Sequence, residues 1–205
     1  MTNPAPIRAV VLDFGGVLLH LGDPQPHQAL AQALHIPVET LRQEVFDGPL
    51  SIAAQKGEIT PEELWRRLAQ QWGWPAEKGP ELAERFWQGV RVDTALADWL
   101  RSLRPTYRTA LLSNAWLDLR DLLHQLGIAD AFDVMVISAE ERLMKPDPRI
   151  YRLLLERLAV SPAEAVFVDD REENIIAARN VGMHGIVYRS RDQVLEALAR
   201  LGVTT

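Results

Sequence analysis

Three absences narrow the functions open to this 205-residue chain. It has no cysteine, which excludes disulfide bridges and thiol catalysis, although it leaves the compartment open. It has no lysine-arginine cluster, and a net charge of −6 offers no electrostatic footprint for nucleic acid or an anionic membrane. No apolar run is long enough for a signal peptide at the start or a membrane span elsewhere. We therefore expect a cytoplasmic protein whose partner is a small molecule, with its oligomeric state left open.

Short apolar runs are the main structural signal. Five of them, rich in aliphatic residues, are separated by amphipathic stretches of helical length: 10–12, 109–113, 134–138, 165–170 and 185–188. This alternation predicts an α/β fold, a Rossmann-like parallel sheet with helices on both faces. The length and a hydrophobic content of 47% suffice for one core domain with an insertion.

The interval between the first and second runs reads as helical. It contains "TPEELWRRLAQQW", in which Thr60, Pro61 and Glu63 stand in capping-box order before an apolar stripe. So long a connection requires structure of its own. We predict a core domain from 1–19 and 93–205, and a helical cap at 20–92 that covers the strand ends.

Polar residues follow three of the predicted strands. Asp13 ends the first, Ser113 the second, and Asp169 with Asp170 the fourth, so a parallel sheet brings them to one edge. A carboxylate beside a core requires a metal, a counter-charge or hydrogen bonds. The acidic residues suit a hard divalent cation such as Mg²⁺, and Lys145 adds positive charge. Beside them, Ser113 offers a hydroxyl to a phosphate oxygen at a strand-to-helix turn.

Four motifs occur in order over residues 10–183: "VVLDFGGVL", "LLSNAW", "MKPDPRIY" and "VFVDDREENIIAARNVGM". Together they resemble the haloacid dehalogenase-like hydrolase superfamily, in the branch with a helical cap after the first motif. Within it, the chain is similar to glucose-1-phosphate phosphatase-like proteins and to the N-terminal phosphatase domain of soluble epoxide hydrolase. The resemblance implies a Mg²⁺-dependent phosphatase of a small phosphorylated metabolite, sugar phosphates among them.

The resemblance also assigns roles to the reacting groups. Asp13 would attack phosphorus, giving an aspartyl-phosphate that water then hydrolyses. Ser113 and the backbone of Asn114 would bind the phosphoryl oxygens, and Lys145 would neutralise both Asp13 and the phosphoryl group. This agrees with the chemistry, because a carboxylate nucleophile must be shielded from the charge of its substrate.

The same resemblance implies a metal site. Mg²⁺ would be bound by the Asp13 carboxylate, the Gly15 carbonyl and Asp170, with Asp169 as a direct ligand or through water. Asp169 alternatively orients Lys145 or a water molecule. Gly16 is expected to provide backbone freedom at a tight turn, and we place both glycines against the substrate.

Gly15 departs from the family pattern. Most phosphatases of the superfamily carry a second aspartate there, which protonates the leaving group and then activates water, although some members also have glycine. General acid-base catalysis contributes a factor of about 10² to 10⁴. The sequence leaves the replacement open among His20, His27, Asp23 and a metal-bound water.

Trp116 stands two residues beyond Asn114, at the expected mouth of the site, where it either contacts substrate or packs. The tryptophans at 65, 72, 87 and 99 are expected to pack in the core or the cap.

Two other functions stay open. One is a metal-free 2-haloacid dehalogenase, which uses the same aspartate on carbon, but the carboxylates of Asp169 and Asp170 would repel a haloacid unless a cation neutralised them. The other is a non-catalytic phosphate- or protein-binding member that has lost its acid.

Overall fold

The computed structural model describes residues 5–204. Its central feature is a five-stranded parallel sheet in the order β5-β4-β1-β6-β7, and a two-stranded antiparallel sheet pairs β2 with β3. The strands are β1 (Ala9–Leu12), β2 (Leu19–Leu21), β3 (Val90–Val92), β4 (Arg108–Ser113), β5 (Val134–Ile137), β6 (Ala165–Asp169) and β7 (His184–Val187). The five apolar runs of the sequence are thus the five strands of the parallel sheet, which confirms the predicted fold class.

Helices cover both faces of this sheet. They are α1 (Gln25–Leu34), α2 (Val38–Asp47), α3 (Pro49–Gln55), α4 (Pro61–Gln71), α5 (Gly79–Trp87), α6 (Thr94–Ser102), α7 (Leu119–Gln125), α8 (Ser138–Glu141), α9 (Pro148–Leu158), α10 (Glu172–Asn180) and α11 (Arg191–Arg200). Short 3₁₀ turns lie at Ala76–Lys78, Ala129–Ala131 and Pro162–Glu164. Over residues 5–204, none of the helices has the length and hydrophobicity that crossing a bilayer demands.

Strand β1 is buried along its whole length and contributes side chains to the apolar clusters on both faces of the sheet. Successive side chains of a strand point to opposite faces. Val10 and Leu12 accordingly join the cluster that contains α6 and α11, whereas Ala9 and Val11 join the cluster that contains α9 and α10. A strand that is apolar on both faces can occupy only the centre of such a sheet.

The insertion consists of helices α1 to α5 and has an apolar cluster of its own. Helix α4 begins as predicted, because the Thr60 side chain accepts a hydrogen bond from the Glu63 amide at 3.2 Å. One expectation was wrong: the interval is not wholly helical. Strands β2 and β3 pair at its two ends, Leu19 opposite Val92 and Leu21 opposite Val90. Strands of three residues are too short to produce a recognisable alternation.

A buried polar contact joins the insertion to the sheet. Ser138 directly follows β5. Its hydroxyl donates to the Gln55 carbonyl at 2.7 Å and accepts from the Ala115 amide at 3.0 Å. Nearby, the Trp116 indole donates to the Ser51 hydroxyl at 3.3 Å. These bonds hold α3 against the loop that follows β4.

Candidate active site

A buried ammonium group lies between two carboxylates at the carboxyl ends of β1 and β6. Lys145 Nζ is 2.9 Å from Asp13 Oδ1 and 2.7 Å from Asp169 Oδ2, and it donates to the Leu112 carbonyl at 3.0 Å. An ammonium has three N–H donors, and these three acceptors account for them. The charge of Lys145 therefore acts on the site while its hydrogens are already engaged within the protein.

Asp169 is held from several sides. Besides Lys145, it accepts hydrogen bonds from the Arg171 amide at 2.8 Å and from the Asn174 side chain, which lies 3.0 Å from both carboxylate oxygens. Its side chain is completely buried. This arrangement fits the role of orienting Lys145, which the sequence left open beside direct metal binding.

Asn114 holds the main chain of Lys145. Its side-chain amide donates to the Lys145 carbonyl at 2.9 Å, and its side-chain oxygen accepts from the Lys145 amide at 2.8 Å. The neighbouring Ser113 is buried at the end of β4, and its side chain hydrogen-bonds to Asp13. Sequence reasoning placed Asn114 at the site for its backbone and did not foresee this use of its side chain.

Burial raises the pKa of Asp13 from 3.8 to about 7. The charge of Lys145 opposes this shift, the charge of Asp169 adds to it, and hydrogen bonds from Lys145 and Ser113 lower the pKa again. Desolvation, followed by the charge of Asp169, also raises the pKa of Asp170. A nearby cation would favour the ionised forms of both carboxylates.

The donor set fits a hard divalent cation. Asp13, Asp169 and Asp170 each offer a carboxylate oxygen, and these oxygens lie within 4.8 Å of one another. A Cβ atom on Gly16 would lie 2.3 Å from Asp170 Oδ2, so only glycine leaves room for that carboxylate. Magnesium prefers oxygen ligands with several retained waters, which suits Asp13 and Asp170, the two of these carboxylates that line an open cleft.

The two glycines after Phe14 differ in conformation and surroundings. Gly16 has a φ of +72°, the left-handed region that side chains rarely adopt. Gly15 has no such φ, and a Cβ there would meet no atom within 4 Å. A Cβ atom is therefore sterically compatible with position 15.

The residues considered as replacement acids lie in different places. His20 lines the cleft and stacks on Tyr188 with ring centroids 5.8 Å apart. His27 is buried in the insertion, with Nε2 2.7 Å from the Phe86 carbonyl, and Asp23 is exposed and accepts from the Gln25 amide at 2.9 Å. Neither of these two lines the cleft, because the His27 ring packs on Phe86 and the Asp23 carboxylate is engaged at the start of α1.

Two adjoining spaces lie at the carboxyl ends of the strands. The first is a cleft of about 450 Å³, which is lined by Asp13, Lys145 and Asp170 together with Phe46, Asp47, Gln55 and Arg171. Beside it lies a cavity of about 150 Å³, lined mainly by apolar side chains and by Trp116. The sequence did not identify Phe46 or Gln55, because nothing in their local pattern distinguishes them from other helical residues.

Trp116 both packs and lines a space, so neither alternative alone describes it. It is 9% exposed and meets Trp65 and Trp87 edge-on, with ring centroids 5.6 Å and 5.9 Å apart. Trp65, Trp72 and Trp87 pack in the apolar cluster of the insertion, and Trp99 packs against the sheet core, as expected.

Comparisons with known proteins bear on this geometry. A family model described as a haloacid dehalogenase-like hydrolase matches residues 7–182. The chain is 30% identical over 187 residues to the sesquiterpene phosphatase of Aspergillus oryzae, which covers 87% of this chain and 88% of that protein. It is 26% identical over 215 residues to bifunctional epoxide hydrolase 2 of Rattus norvegicus, which covers 95% of this chain and 39% of that longer protein.

A solved structure shows the same fold. It is the HAD family enzyme bt-2542 from Bacteroides thetaiotaomicron, in complex with magnesium and inorganic phosphate. The match has a TM-score of 0.76 at 23% identity and covers 90% of this chain and 96% of that one.

The raised pKa of Asp13 has a measurable consequence for the metal-free protein. Between pH 3.8 and about 7 the folded state retains a proton that the unfolded state has released, so stability falls as the pH rises through this window. We expect Asp13→Asn to stabilise the protein by about 1–3 kcal/mol more at pH 8 than at pH 5. Urea denaturation in a chelator measures this, with the exposed Asp192→Asn as the control. An effect of Asp13→Asn on stability that is equal at pH 5 and pH 8 would contradict the assigned cause.

The two glycines are also expected to differ in their tolerance of a side chain. Gly16→Ala should lower the free energy of unfolding by about 1–2 kcal/mol because of its positive φ, and should displace Asp170. Gly15→Ala should change it by less than about 0.5 kcal/mol. Urea denaturation compares the pair directly. Equal effects at both positions would show that the local conformation does not discriminate between them.

Proposed function

Because the chain belongs to the haloacid dehalogenase-like hydrolases, we propose that it is a Mg²⁺-dependent phosphatase acting on a small phosphate ester. The family match confirms the resemblance drawn from the four motifs. The observation that carries the proposal is Asp13: a buried carboxylate, paired with Lys145, that lines an open cleft beside Asp170. The phosphatases among the relatives support the same reaction class.

The first step is a displacement at phosphorus. A carboxylate oxygen of Asp13 forms a bond to phosphorus while the bond from phosphorus to the alcohol oxygen breaks, and the departing oxygen takes up a proton. Lys145 holds Asp13 in position and offsets part of the negative charge that gathers there. The Ser113 hydroxyl and the Asn114 backbone amide receive the phosphoryl oxygens.

The second step regenerates the enzyme. Water attacks the phosphorus of the aspartyl-phosphate, the bond to the Asp13 oxygen breaks, and inorganic phosphate leaves after the water has lost a proton. Asp169 stays outside both displacements, because its oxygens are engaged by Lys145, Arg171 and Asn174. It acts as a positioning residue.

The metal would be held by Asp13, Asp170 and the Gly15 carbonyl, with Asp169 reached through water. When bound, Mg²⁺ supplies positive charge that reduces the repulsion between a carboxylate nucleophile and an anionic phosphoryl group. A charge of this kind is what the desolvated pair Asp13 and Asp170 lacks. We further propose that residues 20–92 act as the cap, since Phe46, Asp47 and Gln55 line the cleft from that side.

A dehalogenase reaction is less well supported. Its substrate carries a carboxylate, and Asp170 lines the same cleft as Asp13. Two carboxylates facing an anionic substrate without a cation oppose its binding. Turnover of an aryl phosphate that depends on Mg²⁺ distinguishes the phosphatase from the dehalogenase and from a non-catalytic binding protein.

The central test uses 4-nitrophenyl phosphate and a titration of Mg²⁺. Asp13→Asn should abolish turnover, because an amide cannot serve as the nucleophile. Asp170→Asn should raise the Mg²⁺ concentration for half-maximal activity by about tenfold or more, together with a loss of turnover. Glu173→Gln, which removes an exposed carboxylate nearby, is the matched control and should change neither quantity. Full activity in Asp13→Asn would exclude the covalent mechanism.

Gly15 generates a prediction about leaving groups. Without a fixed acid, the enzyme should favour esters of acidic alcohols, and Gly15→Asp should restore proton donation. We expect turnover of glycerol phosphate to rise by about tenfold or more, and turnover of 4-nitrophenyl phosphate to change by less than about threefold.

Gly15→Asn is the control for this substitution, since it has the same shape without the acid. The open space around position 15 makes both variants compatible with folding, which a thermal melt with and without Mg²⁺ checks. Equal acceleration of both substrates would mean that another group already donates the proton.

A further inference from the structure

We infer that the cavity beside the cleft is a binding site for the alcohol part of the ester, and that this alcohol is apolar at the end that enters it. The inference rests on the proposed function and specifies its substrate class. It concerns the space of about 150 Å³ between the insertion and the loop after β4, here termed the apolar cavity.

The apolar cavity is lined mainly by apolar side chains. Aromatic and aliphatic side chains come from both the insertion and the core: Phe14, Leu19, Val45, Phe46, Trp87, Ala115, Trp116, Leu119 and Leu122. The remaining lining residues are Gly15, Gln55, Ser113, Asn114 and Asp118. Binding in such surroundings is favourable for an apolar group, because its surface is removed from water.

The polar lining groups are largely occupied. The Asn114 side chain donates one N–H to the Lys145 carbonyl and accepts from the Lys145 amide, and the Gln55 amide donates to the Phe46 carbonyl at 2.7 Å. The Trp116 indole donates to Ser51. Hydroxyl groups of a sugar would therefore lose water in this space and gain few matching partners, of which the exposed Asp118 carboxylate is one, and this is costly. The cavity favours a hydrocarbon over a polyol.

Position and charge define the direction in which an ester binds. Six residues line both the cleft and the apolar cavity: Gly15, Leu19, Phe46, Gln55, Ser113 and Asn114. A phosphoryl group at Asp13 and Ser113 thus has its ester oxygen at the junction of the two spaces. The Asp118 carboxylate lies along the cavity and repels a phosphate from that end. The alcohol points away from Lys145 and into the cavity.

The volume of the apolar cavity and the exposure of its lining determine the size of the alcohol that fits. An apolar cavity of about this volume accommodates a benzene ring. At the exposed side, Leu122 is 39% exposed, so a longer group can continue past it towards solvent. The ligand class is therefore a phosphate monoester of an aromatic or branched hydrocarbon alcohol.

The test compares two substrates of similar size and similar leaving-group acidity, 4-ethylphenyl phosphate and 4-(hydroxymethyl)phenyl phosphate. They differ only in the terminal group, which is a methyl in the first and a hydroxyl in the second. The ratio of their kcat/KM values therefore reports the effect of polarity at the end of the alcohol farthest from phosphorus. We expect the ethyl compound to be favoured by about tenfold or more. A ratio below about twofold would overturn the inference.

Leu122 and Leu126 provide a matched pair of variants. Both are leucines with similar exposure, 39% and 38%, one helical turn apart, and only Leu122 lines the cavity. Leu122→Gln should lower the substrate ratio by about threefold or more, whereas Leu126→Gln should leave it unchanged. Equal effects of the two variants would overturn the assignment.

A binding measurement separates failure of this inference from failure of the proposed function. Calorimetric titration with 4-ethylphenol and 4-(hydroxymethyl)phenol needs no turnover. If neither ester is hydrolysed but 4-ethylphenol binds preferentially and loses that preference in Leu122→Gln, the cavity assignment stands and the phosphatase proposal fails. If both esters are hydrolysed equally and neither phenol is preferred, the phosphatase proposal stands and the cavity assignment fails.

Discussion

The buried ion cluster of Lys145 with Asp13 and Asp169 is the constraint on which the rest of the site depends. Taking charged groups out of water is costly, and the cost is offset only when they pair and hydrogen-bond well. Here one ammonium serves two carboxylates, and Asp170 adds a third carboxylate within reach. In their ionised forms these four groups carry two surplus negative charges, which a divalent cation would balance. Burial of the carboxylate is the main cause of the raised pKa of Asp13, and the charge of Asp169 adds to it.

The parallel sheet explains why these groups meet. Strand β1 lies between β4 and β6, and Leu12 is in register with Leu111 and Val168. The residues just beyond these positions, Asp13 among them, emerge side by side at one edge. Lys145 reaches the same edge from the loop before α9, and its backbone is held there by Asn114. Short strands with fixed register thus position the carboxylates of Asp13 and Asp169 without help from the insertion.

In the proposed reaction, the insertion would act on a different property, the choice of alcohol. Its residues Phe46 and Gln55 line both the cleft and the apolar cavity, so they lie where the alcohol part of an ester would bind. Gly15, at the same junction, supplies no acid to the departing oxygen. The two features favour different properties of the alcohol. The absence of a fixed acid favours acidic alcohols, and the apolar lining favours hydrophobic ones. An aromatic alcohol satisfies both conditions.

The sequence by itself determined what depends on neighbours along the chain. The five apolar runs predicted the strands of the parallel sheet, because burial on both faces leaves an unbroken aliphatic segment, and the residue after each strand then had to lie at the shared edge. Thr60 predicted the start of α4 for the same local reason. The motifs also identified Asp13 and Asp170 as residues that belong together.

Only the tertiary structure decided matters that depend on packing between distant segments. Among these are the pairing of β2 with β3, the burial of His27 against Phe86, and the engagement of all three Lys145 donors. The apolar cavity belongs to the same class, since Val45 and Leu122 meet across 77 positions of sequence to line it. A cavity is a gap between surfaces whose separation is set by the whole core, and no local pattern of residues encodes that separation.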